Sequence, residues 1–177
     1  MAFQAYLPDS YQILQQITDW ARKRVAAGGS PIKIRIVIGA NMEMEKIDSA
    51  IFDWPLAPFD NKPEVDANWK RMVDFGMQPE NIQVVRLGIA SHNVFDLAYT
   101  YLVARKNEVT DFFSFEMIEG MANHLRRAVQ ETGQEMVLYA PVAKRDQFIN
   151  AIGYLIRRLD ENTGGQNFLR HLNRLKT

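Results

Sequence analysis

Residues 32–41 read IKIRIVIGAN, a run of β-branched residues interrupted by basic ones and closed by glycine, alanine and asparagine. Alternation with a period of two, rich in isoleucine and valine, predicts a β-strand from Ile32 to Ile38. Lys33 and Arg35 share one face of this strand with Val37. A charge inside an apolar strand needs a partner, so Arg35 is either a structural charge with a buried counterion or a functional group.

Strand-like and helix-like segments alternate on both sides of this run. Further strands are predicted at 2–7, 82–89, 112–118 and 136–142. Helices are predicted at 11–27, from residue 63, at 92–106, after Gly120 to near Glu131, at about 145–161 and at about 165–175. Five strands, each followed by a helix, predict βα units with right-handed crossovers and a parallel sheet. Only the connection Asn41–Lys62, rich in proline, aspartate and aromatic residues, breaks the alternation. The pattern fits both an open doubly wound sheet and part of a barrel.

Length and composition exclude several classes of protein. The 177 residues include 21 basic and 21 acidic side chains, and the length predicts a single domain over residues 1–177. The absence of cysteine excludes disulfides and thiolate chemistry, and three scattered histidines predict no metal site. Neutral charge argues against a nucleic-acid partner. No apolar run reaches the roughly 18–20 residues needed to span a bilayer, and no signal peptide opens the chain, which predicts a cytoplasmic protein.

Polar or glycine-bearing residues stand at the ends of the predicted strands. They are Gln4, Arg35 to Asn41, Ser91-His92-Asn93, Glu116 with Glu119-Gly120, and Tyr139-Ala140-Pro141. In a parallel sheet these ends meet at one edge, where α/β folds bind ligands. Along the last long helix, one stripe at i, i+3, i+4 and i+7 carries Tyr154, Arg157, Arg158 and Glu161. These residues are the candidates for a site.

Each candidate also has a purely structural interpretation. Arginines beside Glu161 are typical of a surface salt-bridge face, and His92 before a helix is typical of a cap. Gly39 fits a turn glycine as well as a ligand contact. Glu43 and Glu45 are interpreted as a solvated face. The chain has no Gly-x-Gly-x-x-Gly motif, no P-loop and no histidine-rich metal spacing.

Six motifs carry a resemblance to a known family. In chain order they are FQAY (3–6), IRIVIGAN (34–41), ASHN (90–93), FEMIEGM (115–121), LYAPV (138–142) and YLIRRLDEN (154–162). Together they resemble the C-terminal half of the FAD-dependent proline dehydrogenase domain, which occurs alone or within bifunctional proline-utilisation enzymes. Residues 35–72 look most like the bifunctional bacterial form. The resemblance covers nearly the whole chain.

The resemblance implies a distorted (β/α)8 TIM-like barrel, of which this chain would carry about strands four to eight. In the family the first three strands supply a lysine and an aspartate that contact the substrate. We therefore expect the chain to be a fragment of a larger enzyme that is inactive by itself. An incomplete barrel exposes its edge strands, here 2–7 and 136–142, which predicts a homo-oligomer or a domain-swapped assembly.

The resemblance also assigns roles to individual residues. It implies FAD contacts from Gln4, Arg35, Val37, Gly39, Ala40, Ser91, His92, Asn93, Glu116, Tyr139, Glu161 and Phe168. Arg157 and Arg158 would hold the proline carboxylate, a task that suits the planar guanidinium fork. Tyr154 would pack on the proline ring and Ile118 would belong to the apolar wall. Tyr139, Tyr154, Arg157 and Arg158 form the implied catalytic set.

The implied reaction oxidises L-proline to Δ1-pyrroline-5-carboxylate by passing a hydride equivalent to FAD, with a quinone or another acceptor taking the electrons. The implied location is the cytoplasm, with peripheral attachment to the inner membrane as an option. Two alternatives stay open. One is a non-catalytic half-barrel that serves as a flavin-binding or protein-interaction module, and the other is an unrelated doubly wound α/β protein.

Three positions depart from the family pattern. Ile38 stands where the family usually has lysine, and Asn41-Met42 replace an aromatic pair. Glu116 stands where glutamine is usual and would bring negative charge near the cofactor. These departures predict weakened flavin binding.

Overall fold

The structure, a computed structural model, describes residues 1–39 and 41–163, with the backbone alone for 159–163. Its strands are β1 (Ala2–Gln4), β2 (Ile32–Val37), β3 (Val85–Ala90), β4 (Phe113–Ile118) and β5 (Met136–Tyr139). Its helices are α1 (Ser10–Ala26), α2 (Met42–Phe52), α3 (Lys62–Gly76), α4 (Pro79–Ile82), α5 (Val94–Lys106), α6 (Asn123–Glu131) and α7 (Phe148–Thr163). Single 3-10 turns lie at Thr110–Phe112 and Arg145–Gln147.

The five strands form one parallel sheet in the order β1-β2-β3-β4-β5. The prediction of a parallel sheet of βα units is therefore confirmed. A doubly wound sheet reverses its strand order so that helices cover both faces. The five strands that the structure describes do not reverse their order, and α1, α3, α5 and α6 all contribute to the one core on the apolar side of the sheet, as in a barrel. The doubly wound alternative is wrong for this chain.

The two faces of the sheet differ sharply in chemistry. On one face the β-branched, leucine and phenylalanine side chains of the strands, including Ile34, Ile36, Leu87, Ile89 and Phe115, are buried. They share a hydrophobic core with Leu14 and Ala21 of α1, Trp69 and Met72 of α3, Leu97 of α5, and Leu125 and Val129 of α6. Burying each large aliphatic side chain contributes about 1.5–3 kcal/mol. The opposite face carries polar and charged side chains.

Helix α3 fixes the turn that follows β1. Its N-terminus has a proline in the first turn, and the side chain of Asn61 accepts a hydrogen bond from Glu64 N–H at 3.1 Å. From the buried side of the helix, Asn68 Nδ2 donates to the carbonyl of Ala5 at 2.9 Å and to Ser10 Oγ at 3.0 Å. This amide therefore ties β1, the start of α1 and α3 together.

Several boundaries differ from the sequence-based expectation. Strand β1 ends at Gln4, because the chain turns when Leu7 N–H donates to the Gln4 carbonyl at 3.2 Å. Strand β5 ends at Tyr139, two residues before Pro141, which has no N–H for the ladder. Residue 82 ends the short helix α4, which begins at a proline, so β3 starts only at Val85.

The connection at 41–62, which breaks the predicted alternation of strands and helices, contains α2. Met44, Ile47 and Ile51 stand at i, i+3 and i+7 along α2, but none of the residues of this helix is buried, so its apolar stripe is exposed. The helix predicted at 165–175 lies outside the described residues.

The outer strands are paired on one side only. Among the described residues, β1 pairs with β2 and β5 with β4, and neither has a second partner. In this same part of the chain, no helix is both long enough and apolar enough to cross a membrane.

Candidate functional site

The carboxyl ends of all five strands open into one cleft of about 470 Å³, bordered also by α3, α5 and α7. The predicted convergence of the strand tips is thus present. Of the predicted site residues, those lining the cleft are Gln4, Arg35, Val37, Gly39, Ser91, His92, Asn93, Glu116, Ile118, Tyr139, Tyr154 and Arg158.

Arg35 has the partner that a charged residue within an apolar strand requires. Its Nε lies 2.7 Å from Oε2 of the buried Glu116, as an ion pair whose N–H is not aligned for a hydrogen bond. Its guanidinium carbon lies 4.7 Å from the centre of the Tyr139 ring, within cation–π range. Side chains from three strands, β2, β4 and β5, therefore meet at this arginine.

Glu116 also lies near a second cation on the polar face of the sheet. Lys33 Nζ lies 3.9 Å from Glu116 Oε1 and donates to Ser114 Oγ at 2.7 Å. The negative charge that this position adds near the cleft is thus balanced by Arg35 and Lys33. Glu116, which stands where glutamine is usual in the family, therefore has two counterions in this structure, Arg35 and Lys33.

His92 does not cap the helix that follows it. The cap of α5 is Asn93, whose side chain accepts from Phe95 N–H at 3.1 Å. The Nε2 atom of His92 instead accepts a hydrogen bond from Ile118 N–H at 3.1 Å. Burial lowers the pKa of His92 below its ordinary value, and the positive charge of Arg35 lowers it further. A neutral imidazole with its proton on Nδ1 fits this arrangement.

A small polar network lies beside His92 at the start of α5. Ser91 Oγ donates to Asp96 Oδ2 at 3.1 Å and accepts from Asn93 N–H at 3.1 Å. Asp96 is buried, and this burial raises the pKa of its carboxyl, while the bond from Ser91 acts in the opposite direction. Ser91 is held by its neighbours in the network.

Position 39 requires glycine because the ring of Tyr6 occupies the space that a side chain would need. The φ of Gly39 is 114°, and a Cβ built on it would lie 1.7 Å from Cδ1 of Tyr6. The Tyr6 ring is buried, and the backbone N–H of Tyr6 donates a hydrogen bond to the Ile38 carbonyl at 3.0 Å. The glycine therefore allows the end of β1 and the end of β2 to meet at the floor of the cleft.

Helix α7 brings some of its predicted residues into the cleft. Tyr154 and Arg158 line it, with the guanidinium carbon of Arg158 4.9 Å from the Tyr154 ring centre. Arg157 is exposed and is not among the lining residues. Ala40 and Phe168 lie outside the described residues, as does the side chain of Glu161.

Sequence reasoning missed several residues of the lining. Lys62 and Asp66 form an ion pair of 2.5 Å in the first turns of α3, and both border the cleft, as do Asp96 and Met121. An i, i+4 pair of opposite charges at the start of a helix is usually solvated, so its spacing carries no functional signal. The one signal for Asp96 was its position in the first turn of α5, directly after Ser91-His92-Asn93.

The lining of the cleft combines hydrogen-bond donors with charges of both signs, since Arg35, Lys62 and Arg158 border it together with Asp66, Asp96 and Glu116. Gln4, Arg35, Lys62, Ser91 and Asn93 border it with hydrogen-bond donors. Tyr139 presents an aromatic side chain at the edge of the sheet. Lys62 adds a cation to a lining in which Ile38 stands where a lysine was expected.

Comparisons with known proteins agree on one family. A family model described as "Proline dehydrogenase" matches residues 1–171. A curated relative, the "Bifunctional protein PutA" of Rhizobium meliloti, is 28% identical over 180 residues, which cover 96% of this chain and 13% of the relative.

Two solved structures share the fold at higher identity. Proline utilization A (PutA) from Corynebacterium freiburgense is 47% identical with a TM-score of 0.85, covering 91% of this chain and 17% of that one. Proline utilization A from Bdellovibrio bacteriovorus, inactivated by N-propargylglycine, is 35% identical with a TM-score of 0.87, covering 99% and 18%. This chain therefore spans less than a fifth of the length of these relatives.

Proposed function

The chain belongs to the proline dehydrogenase family, and from that premise we propose that it is part of an FAD-dependent enzyme that oxidises L-proline to Δ1-pyrroline-5-carboxylate. The observation that carries the proposal is the cleft in which Arg35, Tyr139, Tyr154 and Arg158 lie together. These residues come from two strands and a helix far apart in the sequence. They match the motifs on which the resemblance rests.

We assign residues 1–177 to the C-terminal part of one barrel domain, with β1 to β5 as its strands four to eight. The unreversed strand order supports this assignment. Barrels of this kind close with eight strands, and their sites lie at the carboxyl ends of the strands. The cleft of this chain lies at that end of the sheet.

FAD, when bound, supplies the acceptor for the electron pair removed from proline. The residues of this chain would bind the cofactor and orient the substrate. Gln4 and Arg35 donate hydrogen bonds to the flavin ring, and Tyr139 packs beside it. Ser91, His92 and Asn93 meet the pyrophosphate or adenosine side. Val37 and Gly39 line the ring with backbone and small side chains, and Ala40, Glu161 and Phe168 remain predicted contacts.

The substrate would bind against α7, where Tyr154 and Arg158 line the cleft. Arg158 pairs with the proline carboxylate, with Arg157 as the second predicted partner, because a guanidinium fork matches a carboxylate bidentately. Tyr154 packs on the pyrrolidine ring and Ile118 belongs to the apolar wall. Fixing the carboxylate orients the ring carbon next to nitrogen, from which the hydride equivalent leaves, and the ring nitrogen loses a proton.

We propose that the 177 residues are inactive on their own. In the described part of the chain both outer strands lack a second partner, whereas a dry, closed site needs the whole barrel. The same observation favours the second candidate function, a non-catalytic half-barrel that binds flavin or a protein. In the larger enzyme, a quinone is the candidate electron acceptor, in the cytoplasm or at the periphery of the inner membrane.

A spectroscopic titration tests the proposal. The purified chain is titrated with FAD, then with L-proline without oxygen, and the visible flavin absorption is followed. Flavin that binds and stays oxidised supports the half-barrel with an intact cofactor site. Flavin that bleaches with proline overturns the expectation of inactivity. No binding at micromolar FAD overturns the cofactor assignment for this chain. Arg35→Met should weaken FAD binding, whereas Arg127→Met, an exposed change on α6 that serves as its matched control, should not.

A further inference from the structure

We propose that Glu116 is a positioning residue, which holds the guanidinium of Arg35 in the cleft, and that Gly88 is glycine because the Glu116 carboxylate occupies the space of a side chain there. The inference rests on the proposed function in one respect, namely that Arg35 contacts the flavin. The resemblance made Glu116 itself a cofactor contact. The geometry points to a different task for this carboxylate.

Both carboxylate oxygens of Glu116 face protein groups. Oε2 lies 2.7 Å from Arg35 Nε, and Oε1 lies 3.9 Å from Lys33 Nζ. The Glu116 side chain is 10% exposed, whereas that of Arg35 is 24% exposed and lies nearer to the open cleft. A carboxylate this buried needs its counterions, and the cation that it holds is the one available to a ligand.

Gly88 makes the contact across the sheet sterically allowed. In the register of the strands, Arg35 pairs with Gly88, and Ala90 pairs with Glu116. Strand β3 thus separates the arginine on β2 from the glutamate on β4. A Cβ built on Gly88 would lie 2.1 Å from Oε1 and 2.7 Å from the carboxyl carbon of Glu116. Any side chain at position 88 would displace the carboxylate from its place between the two strands.

Arg35 is then held on two sides, by the carboxylate of Glu116 and by the ring of Tyr139 at 4.7 Å. Since Nε faces the carboxylate, the terminal Nη atoms are the donors left to turn toward a ligand. A guanidinium fixed in this way loses less conformational freedom on binding than a free one, which strengthens binding without any new contact. Charge adds to this effect, because Lys33, Arg35 and Glu116 together carry one net positive charge.

The test measures the mobility of Arg35 directly. In the 15N-labelled chain without FAD, the heteronuclear NOE of the Arg35 Nε–H group reports whether the side chain is ordered, and Arg35→Lys assigns the signal. We expect an ordered signal in the parent chain and a mobile one in Glu116→Gln, which keeps shape and loses charge. Gly88→Ala is the second variant, and it should mobilise Arg35 while Glu116 is still present.

The chain offers a matched control in Glu119→Gln. Glu119 forms an ion pair with Arg126 at 3.2 Å and lies nearer to solvent. This variant should leave the Arg35 signal ordered. Glu116→Asp, which keeps the charge on a shorter arm, should restore part of the order lost in Glu116→Gln. An Arg35 signal that stays ordered in both Glu116→Gln and Gly88→Ala overturns the proposal.

A second measurement separates this inference from the proposed function. Loss of this preorganisation should raise the FAD dissociation constant by about two- to tenfold in Glu116→Gln, since the free Arg35 side chain must then be ordered on binding. This is the reverse of the expectation from the resemblance, in which glutamine at this position favours flavin binding. The dissociation constant should not change in Glu119→Gln. A parent chain that binds no FAD contradicts the cofactor assignment for this chain, whereas the NOE result still decides the role of Glu116.

Discussion

His92 and Ile118 join two neighbouring strand ends through one hydrogen bond, in which the backbone N–H of Ile118 donates to Nε2 of the imidazole at 3.1 Å. The bond requires that Nε2 carry no proton. Protonation of Nε2 would break this hydrogen bond and make two N–H groups face each other. It would also place a positive charge in a buried environment, near the positive charge of Arg35.

We predict that acid weakens the fold through His92. Burial lowers its folded-state pKa below the unfolded value of about 6.5, so the folded protein binds the proton less well. The stabilisation is therefore complete above pH 6.5 and is lost as the pH falls from there through the folded-state pKa. The free energy of unfolding, measured by urea titration between pH 5 and 8, should fall more steeply in the parent chain than in His92→Gln. His124→Gln, an exposed change, should follow the parent curve, and equal slopes in all three proteins would contradict the prediction.

Gly39→Ala should be strongly destabilising. The backbone φ of 114° strains any other residue, and the new Cβ would overlap the buried ring of Tyr6. Strain and overpacking each cost about 1–3 kcal/mol, so we expect a loss of roughly 2–6 kcal/mol in the free energy of unfolding. Gly120→Ala is the control, because Gly120 has a φ of 81° and nothing within 4 Å of a built Cβ. A loss no larger at Gly39 than at Gly120 would show that the ring gives way easily.

Asn68→Ala should destabilise the start of the chain. The buried amide donates to the Ala5 carbonyl and to Ser10 Oγ, so its removal leaves buried acceptors without their donor. We expect a loss of about 2–3 kcal/mol, since an unsatisfied buried polar group costs about 1–3 kcal/mol beyond the lost packing. Hydrogen exchange should locate the effect at β1 and the first turn of α1. Gln130→Ala on the exposed side of α6 is the comparison, and similar losses in both variants would argue against this role of Asn68.

Arg158 should matter more for proline than Arg157. Arg158 lines the cleft beside Tyr154, whereas Arg157 is exposed. In FAD-loaded protein, L-proline binding without turnover can be followed by the shift of the oxidised flavin bands. The L-proline concentration that half-saturates this shift should rise about 10- to 100-fold in Arg158→Met, as expected for loss of a charge-assisted pair. Arg157→Met should change it by less than about threefold, since exposed charge contacts contribute little. The reverse order would mean that α7 turns its other face to the substrate.

We predict that the chain self-associates through its outer strands. Leu138 on β5 is 41% exposed, and the strand has an unpaired edge among the described residues. Exposed edges and apolar side chains favour pairing with a second copy, and lysine on an edge strand opposes it. Sedimentation of the parent chain at micromolar concentration should show oligomers, and Leu138→Lys should shift them toward monomer. Leu102→Lys, at an exposed position of α5, should leave the oligomers unchanged. A monomeric parent chain would contradict this prediction.

The alternation of residues such as Ile34 and Ile36 with Lys33 and Arg35 was enough to predict the strands, because one buried face leaves a period of two in the sequence. The strand tips could also be predicted to lie together, because the carboxyl ends of parallel strands meet at one edge of the sheet. The pairing of Arg35 with Glu116 could not be predicted. It joins residues 81 positions apart across an intervening strand, and it depends on a glycine whose role appears only in the sheet register.

Helix α2 and the lining residue Lys62 show a second limit of sequence reasoning. Periodicity can indicate a helix but not whether it packs: Met44, Ile47 and Ile51 of α2 stand at i, i+3 and i+7, yet none of the residues of this helix is buried. Lys62 forms a local ion pair with Asp66, and only the course of the chain between β2 and α3 brings that pair to the cleft.

The unreversed order of the strands gives the chain a modular construction. Each described strand forms its ladder only with the units next to it in sequence, as neighbouring repeats do in a solenoid. The middle strand β3 is held by two ladders, and β1 and β5 by one each. Local opening should therefore start at the two ends and reach β3 last, so that units can be gained or lost at either end while the pairing of the others persists.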